Sequence, residues 1–320
     1  MIIESQDTFT EDILSVNNAL SWCQKATAIN DPNPLWMNLW YEGEAACMFS
    51  DSNAGKSIYA VQIAESIAST GKRVLYFDFE QSAKQFQLRY TNERGNFYSF
   101  SRNFLRCEID ATALSGNTKP VDLVDSVISA ADRAKADILI IDNLTFMCAD
   151  SENGLAAHDF MMKLIEYKKA WNLSILILAY TPKREYNSPI TQNDLAGSKR
   201  LFNFFDSVFA IGRSTQGDDM RYIKQLKARM CPITMGENSV LSARIIKDNT
   251  MLRFEHLDQV AERAHLKTSS GPNSRVTDEQ QRVILDMRNE GKSIREIASI
   301  VGVSKSTVGQ IVKNSKEETA

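Results

Sequence analysis

The sequence lacks most of what would make it a metal cage, a secreted scaffold or a membrane protein. Only 3 histidines occur among 320 residues, His158, His256 and His265. No two of them stand at a metal-ligand spacing, so surface or structural roles are expected. The 5 cysteines, Cys23, Cys47, Cys107, Cys148 and Cys231, are scattered with no C-x-x-C pair. That suits buried thiols in a reducing cytosol better than disulfides or a zinc site. No apolar run reaches the roughly 18 residues of a membrane span. The opening "MIIESQDTFTEDIL" is acidic and without the basic-then-apolar order of a secretory signal, so a cytoplasmic protein with no membrane partner is expected. Positive charge is not in excess either. The formal net charge is -3, which argues against a chain that coats nucleic acid over its whole surface and leaves local basic surfaces open. There is no internal repeat and no low-complexity tract.

What is there is an ordinary globular composition, 43% hydrophobic and 24% charged, long enough for one large domain and a small one. Residues 1–43 read as an N-terminal lead, with a helix expected near 11–25 and a loop at "NDPNPLW". From Glu44 short apolar runs alternate with helical stretches. Strands are expected over 45–49, 73–79, 105–109, 138–141, 174–179 and 207–211, and helices over 56–69, 121–135 and 155–171. Apolar strands interleaved with helices imply an α/β domain whose mostly parallel sheet is covered on both faces. After Gly212 the segments "MRYIKQLKARM", "SARIIKD" and "TMLRFEHL" read as antiparallel strands or hairpins. The large domain is therefore expected over 44–264, with a polar linker, "HLKTSSGPNSRV", over 265–276. Residues 277–320 then form a small all-α domain.

The chemistry concentrates in "FSDSNAGKSIYA", residues 49–60, which departs from the phosphate-loop pattern G-x-x-x-x-G-K-[ST] at one position. Ser50 stands where the first glycine belongs. A loop of this kind aims backbone N–H groups at phosphates from the positive end of a helix. Here Ser50, Asp51, Ser52, Asn53, Ala54 and Gly55 would cradle ATP, Lys56 would reach its terminal phosphates, and Ser57 would ligate Mg2+. If position 50 required a positive φ, a serine there would cost about 1–2 kcal/mol. Lys56 is expected to be exposed toward the ligand. "ADILIIDN" is a buried-strand run that ends in Asp142, a carboxylate placed to hold magnesium with its bound water. Many P-loop ATPases follow that residue with a Glu, but here it is Asn143. "RVLYFDFE" instead delivers Glu80 at a strand's carboxyl end, as the group that handles the attacking water. Asp78, two residues earlier, is the second candidate.

A loop of this type, a Glu ending the next strand and a bare Asp on the magnesium strand resemble the RecA-like class of P-loop ATPases. Within it, residues 45–229 are similar to the hexameric RepA/DnaB-type helicases, above all the RepA-like ATPases of plasmids and mobile elements. The resemblance implies ATP hydrolysis with magnesium in a homo-oligomeric ring, a hexamer, that moves on single-stranded DNA. "ILAYTPKR" stands where that family senses phosphate, which makes Thr181 and Lys183 candidates, with Tyr180 where the RepA pattern prefers His. "DLAGSKRLFNFFDSVFAIGR" resembles the following block, with Gly197 and Ser198 at a loop. "IKQLKARM" resembles the hairpin from which such rings send a Lys and an Arg into the neighbour's nucleotide. Lys227 and Arg229 lie two apart and on a strand would share one face. Lys183, Arg184, Lys199 and Arg200 are candidates for strand contact.

"VTDEQQRVILDMRNEGKSIREIASIVGVSKSTVGQIVKN" carries its own helix punctuation. Thr277 with Gln280 and Ser293 with Glu296 are capping boxes, and Gly291 and Gly302 mark breaks. Three short helices follow, the second and third over 294–301 and 305–314, around Ile297, Ala298, Val301, Val303, Val308 and Ile311. The unit resembles the helix-turn-helix of resolvases and of the promoter-reading sigma region. That resemblance implies a duplex-DNA reader, with Lys305, Ser306, Gln310 and Lys313 toward the major groove. A three-helix unit that docks protein is the other reading of the same pattern. For the whole chain three functions stay open: a replicative helicase-like motor, an ATP-switched DNA-binding regulator or initiator that never unwinds, and a filament-forming recombinase.

Overall fold

The computed structural model describes residues 15–109, 120–143, 155–182, 184, 188–196, 199–266 and 278–317. In chain order its elements are α1 (Ala19–Ala26), β1 (Pro34–Trp36), β2 (Trp40–Tyr41), β3 (Ala45–Ser50), α2 (Lys56–Ser69), β4 (Val74–Asp78), α3 (Ala83–Arg89), β5 (Phe104–Cys107) and α4 (Pro120–Ala134). Next come β6 (Ile138–Asp142), α5 (Leu155–Trp171), β7 (Ser174–Tyr180), a 3-10 turn (Gln192–Asp194), α6 (Lys199–Phe204), β8 (Ser207–Arg213) and β9 (Met220–Lys227). The remainder are β10 (Val240–Asp248), β11 (Met251–Val260), α7 (Arg263–Leu266), α8 (Asp278–Asn289), α9 (Ile294–Val301) and α10 (Lys305–Glu317).

Period-two alternation within the apolar runs builds the centre. In β3, Ala45, Cys47 and Phe49 face one side, where Val124, Val127, Phe160 and Leu164 of α4 and α5 cover them. Ala46 and Met48 face the other, against Tyr59, Ala60, Ile63 and Ile67 of α2. Each large apolar side chain taken out of water this way contributes about 1.5–3 kcal/mol before its entropy cost. Nine strands share one sheet in the order β11-β10-β9-β8-β3-β7-β6-β4-β5. From β5 to β8 neighbours are parallel, and β9, β10 and β11 continue antiparallel. This is the α/β fold with a mostly parallel sheet covered on both faces expected from the sequence, with the hairpin strands extending one edge. No helix among the described residues is long and apolar enough to cross a membrane.

Several boundaries differ from expectation. Helix α1 starts at Ala19, after Asn18 accepts a hydrogen bond from Ser21 N at 2.8 Å as its N-cap. The lead is not separate from the large domain: Leu39 and Trp40 are buried in the α2 layer, and Trp36 Nε1 donates to Tyr59 Oη at 2.8 Å. His265 is not linker. It is fully buried, stacked 4.9 Å from Tyr222 and hydrogen-bonded to Ser214 and Ser242, so the domain runs through Leu266. His256 packs on Trp36 and Tyr59. Of the four described cysteines only Cys47 is buried; Cys23 is exposed.

The C-terminal unit has its own core, Ile284, Ile297, Ala298, Val308 and Val312, with Val301, Val303 and Ile311 partly buried against it. Ser293 and Glu296 close the expected capping box, and Gly302 ends α9 at φ 73. Thr277 lies outside the described residues.

Candidate nucleotide site and DNA-reading helix

The carboxyl ends of the parallel strands come level at one edge, the crevice in which open α/β sheets bind ligands. Ser50 of β3 is paired with Tyr180 of β7, Asp142 of β6 with Leu178, and Asp78 of β4 with Asp142. Residues 51–55 turn from β3 into α2 at this edge.

Ser50 is the last residue of the strand and is buried, and its Oγ donates to Asp51 O at 2.9 Å. The left-handed positions fall elsewhere, on Asn53 (φ 59) and Gly55 (φ 101). Asparagine tolerates that region better than most residues. The penalty anticipated at Ser50 therefore does not arise. Gly55 is needed twice over, because an added Cβ would lie 2.9 Å from Ile245 Cδ1 and 3.0 Å from the Phe254 ring.

Three arginines hold the outside of the loop. Arg221 Nε donates to Ala54 O at 2.9 Å, Arg213 Nη2 to Ser52 O at 2.8 Å, and Arg184 Nε to Asp51 Oδ2 at 3.4 Å. The two carbonyls so engaged are groups an anion would repel. Arg213 and Arg221 escaped sequence reasoning; Arg213 closes the apolar strand β8, and Arg221 stands second in the mixed strand β9.

Lys56 is 6% exposed, contrary to the expectation of an open side chain. Its Nζ sits 3.7 Å from the centroid of the Tyr180 ring, where the ring's negative face meets the ammonium. Burial lowers its pKa, while Asp142, Glu80 and Asp51 pull the other way. Tyr180 Oη and Asn143 Nδ2 both donate to Glu80 Oε1. Burial raises the Tyr180 phenol, as does the Glu80 carboxylate beside it.

Asp142 is fully buried, and Tyr76 Oη donates to its Oδ2 at 2.6 Å. Its Oδ1 has no hydrogen bond of good geometry. Burial pushes its pKa up to about 6; the Ser57 and Tyr76 hydroxyls lower it, and Glu80 and Asp78 raise it. A buried carboxylate with an orphaned oxygen beside a serine hydroxyl and a lysine fits a hard divalent cation, which takes oxygen ligands near phosphates. Asp78 is buried and ion-paired with Arg106. Thr181 N donates to Ser50 O at 3.2 Å, so Thr181 adjoins the start of the loop.

Lys227 and Arg229 are far from these residues in the sheet. Lys227 is paired with Val208, the amino end of β8, at the edge opposite the loop. The shared strand face does not hold, because β9 ends at Lys227 and Arg229 lies beyond it. Lys227 Nζ donates to Phe202 O at 3.1 Å, and Arg229 Nη1 to Asp206 Oδ1 at 2.8 Å. Arg184, expected on the surface for strand contact, is instead buried in the ion pairs described below. Lys183, Gly197 and Ser198, and the side chains of Lys199 and Arg200, lie outside the described residues.

On α10, Lys305, Ser306, Gln310 and Lys313 are all exposed. The helix's apolar residues Val308 and Val312 face the small core instead.

Residues 14–184 match the AAA domain family, and residues 273–313 a helix-turn-helix domain family. Among known proteins the chain is similar to the DNA repair protein RadA of Campylobacter jejuni, 22% identical over 191 residues, or 58% of this chain and 36% of RadA. The chain thus spans little more than a third of that relative's length. Among solved structures it is similar to the KaiC-like protein PH0186 of Pyrococcus horikoshii OT3. There the TM-score is 0.49 at 12% identity, over 68% of this chain and 91% of the other.

Proposed function

As the chain belongs to the AAA domain family, through residues 14–184, we propose that it is a magnesium-dependent ATPase acting on DNA, in the manner of the RepA/DnaB-type hexameric helicases of plasmids and mobile elements. One observation carries the ATPase reading: Lys56 and Ser57 of α2, Asp142 of β6 and Glu80 just past β4 converge at one sheet edge beside a turn with two left-handed residues. Residues 50–55 cradle the phosphates and Lys56 offsets their terminal charge. Ser57 and Asp142 would hold Mg2+, which when bound would neutralise charge on the phosphate oxygens. Glu80 takes the proton of the attacking water. Until then the Tyr180 hydroxyl and the Asn143 amide hold its carboxylate. Thr181 adjoins the loop where a change in the phosphates can be felt.

The helix-turn-helix match over residues 273–313 supports duplex DNA as the partner of α10. A Gln such as Gln310 can make a bidentate pair with adenine, and Lys305 and Lys313 suit phosphates. The similarity to a protein named for DNA repair points the same way for the ATPase.

The edge at which Lys227 stands cannot serve the chain's own loop. In the motor reading Lys227 and Arg229 therefore complete a neighbour's site, single-stranded DNA runs through the ring, and the helix-turn-helix anchors it to a duplex site. One observation favours a second reading, an ATP-switched regulator or initiator without unwinding: both side chains are already satisfied inside the chain. Turnover measured against protein concentration, with and without single-stranded DNA, separates the two. The motor predicts stimulation by the strand, specific activity that falls on dilution, and an Arg229→Ala protein that binds ATP but turns over poorly. Dilution-independent turnover with an unaffected Arg229→Ala variant removes the ring and leaves the switch.

A further inference from the structure

The Arg184 side chain is 7% exposed and touches both the phosphate loop and the segment 188–196. Its Nε approaches Asp51 Oδ2 of the phosphate loop at 3.4 Å. Its Nη1 donates to Ser188 O at 3.0 Å and lies 3.9 Å from Asp194 Oδ2. Ser188 and Asp194 bracket the segment 188–196, which leads into α6. Asp194 also closes the 3-10 turn, accepting from Thr191 N at 2.7 Å and Thr191 Oγ1 at 3.0 Å. The middle of the segment is pinned independently. Ile190 N donates to Glu262 Oε1 at 2.9 Å, and Ile190 O accepts from Lys224 Nζ at 2.7 Å.

The charge balance at Arg184 is uneven. Tight guanidinium–carboxylate bonds run to about 2.7–2.9 Å, and both carboxylates here are farther away than that. The shortest of these three contacts goes to a neutral carbonyl, and a further partner, the Tyr222 hydroxyl, is neutral too. A buried cation so loosely compensated responds to a new anion nearby. A polyphosphate in the adjoining loop is such an anion.

We infer that Arg184 is a positioning residue that couples the nucleotide in the phosphate loop to the segment 188–196. The inference rests on the ATPase reading. Negative charge brought beside Asp51 draws the guanidinium toward the loop. Ser188 and Asp194 then lose their shared donor, and the segment loosens about its pinned point at Ile190.

Hydrogen exchange on the full chain tests this, with and without a non-hydrolysable ATP analogue and Mg2+, alongside a fluorescent-nucleotide titration. Wild-type protein is expected to bind the analogue and to exchange faster in peptides covering 188–196 when it does. Arg184→Ala loses that nucleotide-dependent rise, whereas a merely structural role would raise exchange equally in both states. Arg184→Lys keeps the charge without the planar fork and restores part of the rise; it carries the test should the alanine variant not fold. A rise of wild-type size in Arg184→Lys and in Asp194→Asn overturns the coupling, as does wild-type binding with no change at 188–196. Wild-type protein that binds no nucleotide overturns the ATPase reading itself, and the coupling with it.

Discussion

Asp78 and Glu80 stand two residues apart at the carboxyl end of β4, and only Glu80 is exposed to solvent. Asp78 Oδ2 accepts from Arg106 Nε at 3.0 Å and Nη2 at 2.9 Å, while its Oδ1 accepts from Gln81 N at 2.9 Å. It is 2% exposed and consumed by the turn that follows the strand. Glu80, past that turn, meets Tyr180 and Asn143 at the edge where Lys56 and Asp142 lie. Two carboxylates that look alike in "FDFE" thus have different surroundings.

The two substitutions should separate accordingly. Glu80→Gln should keep binding Mg·ATP and hydrolyse it at least about a hundredfold more slowly, the usual reach of general-base loss. Asp78→Asn should unfold at lower urea, by about 1.5–3 kcal/mol, because it removes the buried carboxylate that accepts two hydrogen bonds from Arg106, which keeps Glu108. Single-turnover kinetics and urea titrations read the two effects. A fully stable Asp78→Asn protein that has lost turnover, beside an active Glu80→Gln protein, would reverse the roles.

Restoring the missing glycine should not help. Ser50 is extended and buried within β3, so Ser50→Gly gains no conformational relief and should cost about 0.5–1 kcal/mol through backbone entropy. Affinity for Mg·ATP should stay near wild type. A gain in stability would show that Ser50 carries backbone strain after all.

Glu44 offers a pH signature away from the nucleotide. It is 4% exposed; Oε2 accepts from Tyr41 N at 3.0 Å and Ser207 Oγ at 2.8 Å, and Oε1 has no partner. Burial raises its pKa above the ordinary 4.5 and Asp206 adds to that, while the Ser207 and Tyr41 hydrogen bonds and Lys168 oppose it. A raised pKa means the native state keeps its proton to higher pH than the unfolded chain. Its contribution is therefore present below the unfolded value and lost as pH rises through the folded one. Glu44→Gln removes that loss, so the stability difference should move in favour of the variant as pH rises from about 4, then level off above the folded pKa. Urea midpoints across that range check it; a difference constant with pH would sink the idea.

The C-terminal helix can be read one side chain at a time. Gln310→Ala should relax base preference at one position, at a cost of about 1–3 kcal/mol, while Lys313→Ala should weaken all duplexes alike and lower the salt slope by about one. Gly309→Ala should stabilise the helix by about 1 kcal/mol, since an added Cβ would meet nothing within 4 Å. Fluorescence anisotropy on duplex libraries measures the first two. Selective binding that survives truncation after Leu266 would move recognition into the ATPase domain.

Much of this was legible in the residue order. The helices over 56–69, 155–171 and 294–301 start and stop where the sequence signals place them, and the core strands agree to within one or two residues. Those elements are set by apolar periodicity and by caps such as Gly55, Ser293 and Gly302, which act within a few residues. Helix α3 was also within reach: Ser82 and Gln85 form a capping box that the strand-ending "FDFE" obscured.

The sequence by itself determined an α/β domain with a phosphate-loop pattern and a C-terminal helix-turn-helix, because local pattern and motif spacing suffice for both. Only the tertiary structure decided which carboxylate of "FDFE" is exposed, that Ser50 is unstrained, that Lys56 lies under Tyr180, and that the Arg184 side chain packs against the phosphate loop. Each depends on residues distant in the chain, Arg106 against Asp78, Tyr180 over Lys56 and Asp51 beside Arg184. Burial and Coulomb energy are set by what surrounds a side chain in space, and no local pattern encodes the order in which the strands bring those neighbours together.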